Sequence, residues 1–202
     1  VLREQLSLKH AVIVAHPSAA SFTLSMARAY SEAAGALGHD VILRDLYRMN
    51  FAPCLEASEI TRGAEPGPDV ASERSLLADV DVFAFVYPFW MNSQPAMMKG
   101  YIDRVFGRGF AYGPVEGGIG PMLVSRKMIS FTACGSAPDW VPHAPEFQAA
   151  RALFDRHFAA VSGMEIVDHV HFDGVGPGLH PDVAASHLAK VRETVRRFPK
   201  GR

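Results

Sequence analysis

Between Tyr87 and Gly100 the chain reads Tyr-Pro-Phe-Trp-Met-Asn-Ser-Gln-Pro-Ala-Met-Met-Lys-Gly, an aromatic turn that leaves an apolar strand and enters a helix. Phe89 and Trp90 offer π faces and the turn offers backbone amides for ring heteroatoms, so the segment suits a planar cofactor or an apolar planar substrate. Taken alone it reads equally well as a buried turn with two core aromatics. A second stretch, His16-Pro17-Ser18-Ala19-Ala20-Ser21-Phe22-Thr23, opens a helical pattern. Amides at a helix start lack intrahelical partners and the dipole favours negative charge, so hydroxyls and a histidine here suit a phosphate. Ser21 and Thr23 also read as plain helix caps, and His16 as a strand-end residue. No lysine accompanies them and no Walker A sequence occurs in the chain, which argues against a nucleoside triphosphate.

A third segment, Thr132-Ala133-Cys134-Gly135-Ser136, is made of small residues that let amides approach a ligand closely, as donors for the carbonyl and nitrogen edge of a flavin. It reads otherwise as a tight turn. Cys134 is expected to be a small packed residue, because no base or cation can be assigned to it. Cys54 and Cys134 form no CxxC pair or metal-ligand cluster, so no metal site is expected. Gly118-Ile119-Gly120 starts like a dinucleotide fingerprint, but the third glycine is missing and no strand feeds it. It is assigned to a loop with Phe110 and Tyr112 near its base.

Positioning these residues requires strands and helices in alternation. Apolar runs predict strands at Ala11–Ala15, Asp40–Asp45, Val82–Tyr87, Lys127–Thr132 and Glu165–Phe172. Val82 to Tyr87 does not alternate with polar residues, which marks a central strand covered on both faces. Helical spacing predicts helices over Ser21–Leu37, Ala71–Asp79, Gln94–Phe106, Glu146–Val161 and Pro181–Phe198, the last with Val183, Leu188, Val191 and Val195 on its apolar face. Pro95 falls in a first helical turn. Leu46–Asp69 is a long connection with a short helix near Glu56–Arg62, and Gly107–Gly120 is a second, glycine-rich one. Five alternating strands predict an α/β, flavodoxin-like doubly wound five-stranded parallel sheet of order 2-1-3-4-5. The loops after Ala15 and Tyr87 then meet at the switch point.

With 202 residues, 49% of them hydrophobic, the chain is expected to form a single flavodoxin-like domain over 1–202. A formal net charge of −1 without a polybasic run indicates neither nucleic acid nor a membrane surface as partner. No signal-peptide pattern and no apolar stretch near the roughly 20 residues of a membrane span is present, so a cytoplasmic protein without a disulfide framework is expected.

Together, Ala15-His16-Pro17 with Ser21-Phe22, Pro88 through Gly100 with Asp103-Arg104-Val105, and Gly109-Phe110-Ala111-Tyr112 resemble the NAD(P)H:quinone oxidoreductase family of DT-diaphorase-like, flavodoxin-like flavoenzymes, in its bacterial form. The resemblance implies a homodimer with one flavin per subunit and sites completed by the partner. It implies that His16, Ser21, Phe22 and Thr23 hold the phosphate region, that Pro88, Phe89, Trp90, Met91 and Asn92 line the ring, and that Thr132, Ala133, Cys134 and Gly135 form the ring-edge loop. Tyr112 would stand at the substrate side, from the other subunit, and His143 would assist charge transfer, although no tyrosine accompanies it as in DT-diaphorase-like members. Thr23 and the Thr132–Gly135 loop also depart from the family's usual residues. The implied reaction is a two-electron, ping-pong hydride transfer from NADPH or NADH through the flavin to a quinone or other planar electrophile. FAD is favoured over FMN, because the Leu46–Asp69 insert could shelter an adenosine. The alternative is an ancillary regulatory subunit of a potassium efflux system, with a membrane transporter as partner. A one-electron carrier is disfavoured by the near-neutral charge.

Overall fold

A pleated strand sends alternate side chains to opposite faces, and in this chain both faces find apolar cover. The computed structural model describes residues 7–60, 65–135 and 145–199. In chain order it contains β1 (Lys9–Val14), α1 (Phe22–Ala36), β2 (Asp40–Asp45), a 3-10 turn (Ala57–Ile60), α2 (Pro68–Leu77), β3 (Val82–Pro88) and α3 (Ala96–Val105). It continues with β4 (Tyr112–Val115), β5 (Gly118–Pro121), β6 (Lys127–Ala133), α4 (Pro145–Arg151), a π-helical stretch (Ala152–Arg156), α5 (His157–Ser162), β7 (Glu165–Phe172) and α6 (Pro181–Val195).

Five strands form one parallel sheet in the order β2-β1-β3-β6-β7. Counting only those five, this is the expected 2-1-3-4-5. Every residue of β3 is buried, as a central strand requires. Ile13, Phe83, Phe85, Tyr87 and Met128 face a layer built with α2, α3, α4 and α5, whereas Val12, Val14, Val86, Ile129 and Phe131 face α1 and α6. The expected face of α3, Met98, Ile102, Val105 and Phe106, is buried throughout. In α6, Val191 and Val195 are buried, but Val183 is 43% exposed and belongs to a surface cavity instead.

Three local expectations are corrected. Gly107–Gly120 is not a plain connection, since Tyr112–Val115 pairs antiparallel with Gly118–Pro121. Gly117 and Gly118 close this hairpin at φ of 88° and 143°, a conformation open to glycine. The Glu146–Val161 helix is interrupted by its π turn, whose extra residue per turn leaves Asp155 only 2% exposed, on the sheet side. Pro95 caps α3 rather than occupying its first turn.

The Leu46–Asp69 insert is held down on α3. Arg104 is buried and reaches both Glu59 oxygens, Asp69 at 2.6 Å and the Ala52 carbonyl at 2.6 Å, which holds the Glu59 and Asp69 carboxyls below their ordinary pKa range. A Cβ on Gly100 would lie 2.1 Å from the Pro53 carbonyl oxygen, so glycine is required for this approach. None of the insert's described residues lines the cleft described next or the cavity beside it.

Candidate functional site

Parallel strands place their carboxyl ends on one edge, and the order reverses between β1 and β3, so the loops leaving those two strands diverge and open a crevice. A cleft of about 350 Å³ lies there, lined by His16, Ser18, Ser21, Phe22, Thr23, Pro88, Phe89, Trp90, Ala133, Cys134, Gly135, Val175, Gly176 and Leu179. The His16 and Trp90 rings stand 5.7 Å apart, so the first loop and the aromatic turn are neighbours as the topology requires.

One end of the cleft is prepared for an anion. Ser21 caps α1 with its hydroxyl accepting from the Leu24 amide at 3.2 Å, and the first turn carries no acidic residue to oppose a negative ligand. The Ser18 amide donates to His16 Nδ1 at 3.0 Å, which makes Nε2 the protonated nitrogen of the neutral ring and a donor. Arg48 ties down the same loop through the His16 carbonyl and, at 2.8 Å, the Pro17 carbonyl, while Asp45 accepts from its Nε at 3.0 Å. Those loop carbonyls are thus occupied outside the cleft. No motif in the sequence singled out Arg48.

The other end is aromatic. The amides of Phe89 and Trp90 are already bonded, to the Ala133 carbonyl at 2.8 Å and the Pro88 carbonyl at 3.1 Å, so these residues offer faces rather than backbone donors. Met91 and Asn92 both adopt left-handed backbone, φ 50° and 59°, at the tip of a turn closed between Trp90 and Ser93. This conformation is easy for asparagine and strained for methionine. Met91 is 97% exposed, and neither side chain lines the cleft.

In the ring-edge loop, Ala133, Cys134 and Gly135 line the cleft and Thr132 does not. The Cys134 amide donates to the Phe172 carbonyl at 3.0 Å and its carbonyl accepts from Val175 at 2.7 Å, so the backbone at this residue is committed to β7 and the loop that follows. Thr132 is buried, and its hydroxyl lies 2.8 Å from His169 Nε2 and 2.7 Å from His171 Nδ1. Cys134 Sγ lies 3.4 Å from His171 Nε2 and 3.5 Å from Asp173 Oδ1, which replaces the expectation of a packed cysteine with no base assignable to it. Burial lowers the His171 pKa, against the raising effect of Asp173, and the neighbouring His169 lowers it further.

Tyr112 sits on β4, partly buried against the core and away from the cleft. His143 lies outside the described residues. Sequence reasoning missed Val175, Gly176 and Leu179, although the run Gly174-Val175-Gly176-Pro177-Gly178 after the last strand was a usable signal. The alternation His169, His171, Asp173 along one strand end was another. Beyond Leu179 a second cavity, of about 570 Å³, is lined by His171, Asp173, Pro177, His180, Val183 and His187 among others.

A doubly wound parallel sheet whose switch-point cleft offers helix-start donors at one end and aromatic faces at the other defines an α/β protein suited to a planar ligand bearing an anionic group. The chain belongs to the family described as flavodoxin-like fold, whose profile matches residues 8–197. It is 36% identical over 136 residues to an uncharacterized NAD(P)H oxidoreductase of Haemophilus influenzae, covering 65% of this chain and 67% of that protein. It is 30% identical over 147 residues to NAD(P)H dehydrogenase [quinone] 1 of Rattus norvegicus, covering 62% of this chain and 53% of that enzyme. The chain thus spans about half to two thirds of these curated relatives. Among solved structures, NAD(P)H:quinone oxidoreductase from Methanothermobacter marburgensis superposes with a TM-score of 0.80 at 27% identity, over 94% of this chain and 98% of that one.

Proposed function

We propose that this protein is a flavin-dependent NAD(P)H:quinone oxidoreductase that passes two electrons from a reduced nicotinamide to a quinone or related planar electrophile. The observation that carries this is the pairing, in one cleft, of the α1 start and His16 with the exposed face of Trp90, which is 45% exposed. The relatives' names point the same way. They lend the transporter-subunit alternative no support.

A flavin fits the donors present. Ser21, Thr23, His16 Nε2 and the first amides of α1 would hold its phosphate, and Phe22 would close over that end. Pro88, Phe89 and Trp90 would lie along its ring, with Ala133 and Gly135 at the ring edge. When bound, the flavin supplies the hydride-accepting and hydride-donating centre, and the chain supplies position and electrostatics. The aromatic turn excludes water from one side of the planar reactants, and both of these occupy the same space in turn. FAD is favoured over FMN because a second cavity, of about 570 Å³, shares Leu179 with the cleft and is roomy enough for an adenosine. This support replaces the insert, which is packed on α3.

A homodimer suits the apolar exposure of Val115, Ile119, Met122 and Val124 on and after the hairpin, with Tyr112 presented to the partner's cleft. His143 is retained as a candidate for assisting charge transfer. We also read the chain as one domain acting in the cytoplasm. Among the described residues no helix is long and apolar enough to cross a membrane.

Steady-state reduction of menadione, with NADPH or NADH and quinone varied together, tests the reading. Parallel double-reciprocal lines, and release of FAD on denaturation, are expected. Lines that converge would exclude alternating use of one space. A preparation that retains FMN and refuses FAD would remove the adenosine assignment alone.

A further inference from the structure

Behind the cleft a run of side chains connects the sheet to the loop after β7. Asp155 accepts from the Ser130 hydroxyl at 3.1 Å and stands 2.6 Å from His169 Nδ1. The Thr132 hydroxyl bridges His169 Nε2 at 2.8 Å and His171 Nδ1 at 2.7 Å. That contact holds the His171 ring with Nε2 facing Asp173 Oδ1 at 3.3 Å and Cys134 Sγ at 3.4 Å. A thiol, an imidazole nitrogen and a carboxylate oxygen therefore converge on one point.

We propose that Cys134 Sγ, His171 Nε2 and Asp173 Oδ1 bind a zinc ion, with the fourth tetrahedral position left to water or to a donor atom of a bound molecule. All three ligand atoms lie within 4.8 Å of one another. Zinc bonds of about 2.3 Å to sulfur and about 2.0–2.1 Å to nitrogen and oxygen give tetrahedral edges of roughly 3.3–3.6 Å. The edges found are 3.3, 3.4 and 3.5 Å. Thiolate, imidazole and carboxylate are the donor types zinc accepts, and an imidazole whose other nitrogen donates to an oriented partner, here Thr132, is the usual arrangement behind such a ligand. The triad spans the partition of the site, since Cys134 lines the first cavity and His171 and Asp173 the second. On binding, the zinc–sulfur bond forms as the Cys134 thiol proton passes to solvent, and no electron changes hands. The proposal stands independently of the flavin reading.

Cobalt(II) is the probe, added to the tag-free full chain after chelator dialysis and followed as a difference spectrum against the metal-free protein of equal flavin content, with the d–d bands read at wavelengths beyond flavin absorption. The expected result is the strong d–d bands of a tetrahedral site with a thiolate-to-cobalt charge-transfer band, saturating at one ion per chain and displaced by zinc. Cys134→Ser should abolish the charge-transfer band. Asp173→Asn, which preserves side-chain shape, should weaken binding at least tenfold, and Thr132→Val should weaken it about 10–100-fold by releasing the His171 ring. Circular dichroism identifies any variant that fails to fold, in which case Asp173→Asn carries the test. Absence of the tetrahedral bands from the unaltered protein, or equal binding by the folded Cys134→Ser and Asp173→Asn proteins, would overturn the site and leave a hydrogen-bonded triad only.

Discussion

The two walls of the cleft hold their functional groups by opposite means. The wall after β1 and β3 is made of loop residues at the surface, fixed by backbone contacts, by Arg48 and by a turn with two left-handed residues. The wall after β6 and β7 is fixed by a buried side-chain relay through Ser130, Asp155, His169, Thr132 and His171. The first wall can lose a side chain without leaving a buried polar atom unpaired. The second cannot, because each group is the partner of the next. Binding surface and structural support are therefore separable in this molecule, and substitutions should sort accordingly.

The largest effect is expected at Asp155, whose removal strands His169 and Ser130 in the interior. Asp155→Ala should cost about 3–5 kcal/mol in urea unfolding. A cost below about 1 kcal/mol would mean that the relay does not hold the second wall. Acid should act on a second buried histidine. His10, fully buried and stacked on His39 at 4.9 Å, is held at a pKa of about 3 by burial and then by repulsion from His39. Its folded pKa lies below the unfolded value, so the unfolded chain takes up the proton first. The stability it contributes is complete above about pH 6.5 and is lost as the pH falls towards 3, at up to about 1.4 kcal/mol per unit. Urea midpoints of the unaltered protein and of His10→Phe should therefore diverge in slope over that window, and parallel profiles would clear His10 of this role.

On the first wall the expected effects are smaller and appear in binding. Trp90→Ala should weaken flavin affinity about tenfold, or about 1.4 kcal/mol, while moving the unfolding free energy of the flavin-free protein by no more than about 0.5 kcal/mol. Equal flavin occupancy in the purified variant would remove Trp90 from the ring site. Ser21→Ala should cost about 1 kcal/mol of stability through the lost cap, together with weaker retention of the phosphate group. If Trp90→Ala destabilised the fold as much as Asp155→Ala, the distinction between the walls would fail.

What was legible in the sequence follows the same division. The first wall consists of contiguous segments, so helix-start hydroxyls and an aromatic turn stand out as words in the text, and the apolar runs identify the five strands that carry them. The second wall arises from register. Thr132 pairs with His171 across β6 and β7, and a π turn brings in Asp155 from a third element. Nothing in the spacing of Cys134 and His171 along the chain announces that they meet. The β4–β5 hairpin escaped for another reason, since the three glycines and two prolines of its strands carry no strand propensity and pairing alone makes them strands. The length of the insert suggests shelter for a ligand, whereas Arg104 binds it to α3.

Whether the cleft carries electrons from nicotinamide to quinone is decided by an anaerobic absorbance titration of the purified protein, first with NADPH or NADH and then with menadione. A flavin spectrum that bleaches with one equivalent of nicotinamide per chain and returns with one equivalent of quinone is expected. A protein that binds no flavin after reconstitution with FAD or FMN, or whose flavin is bleached but not restored by quinone, would contradict it.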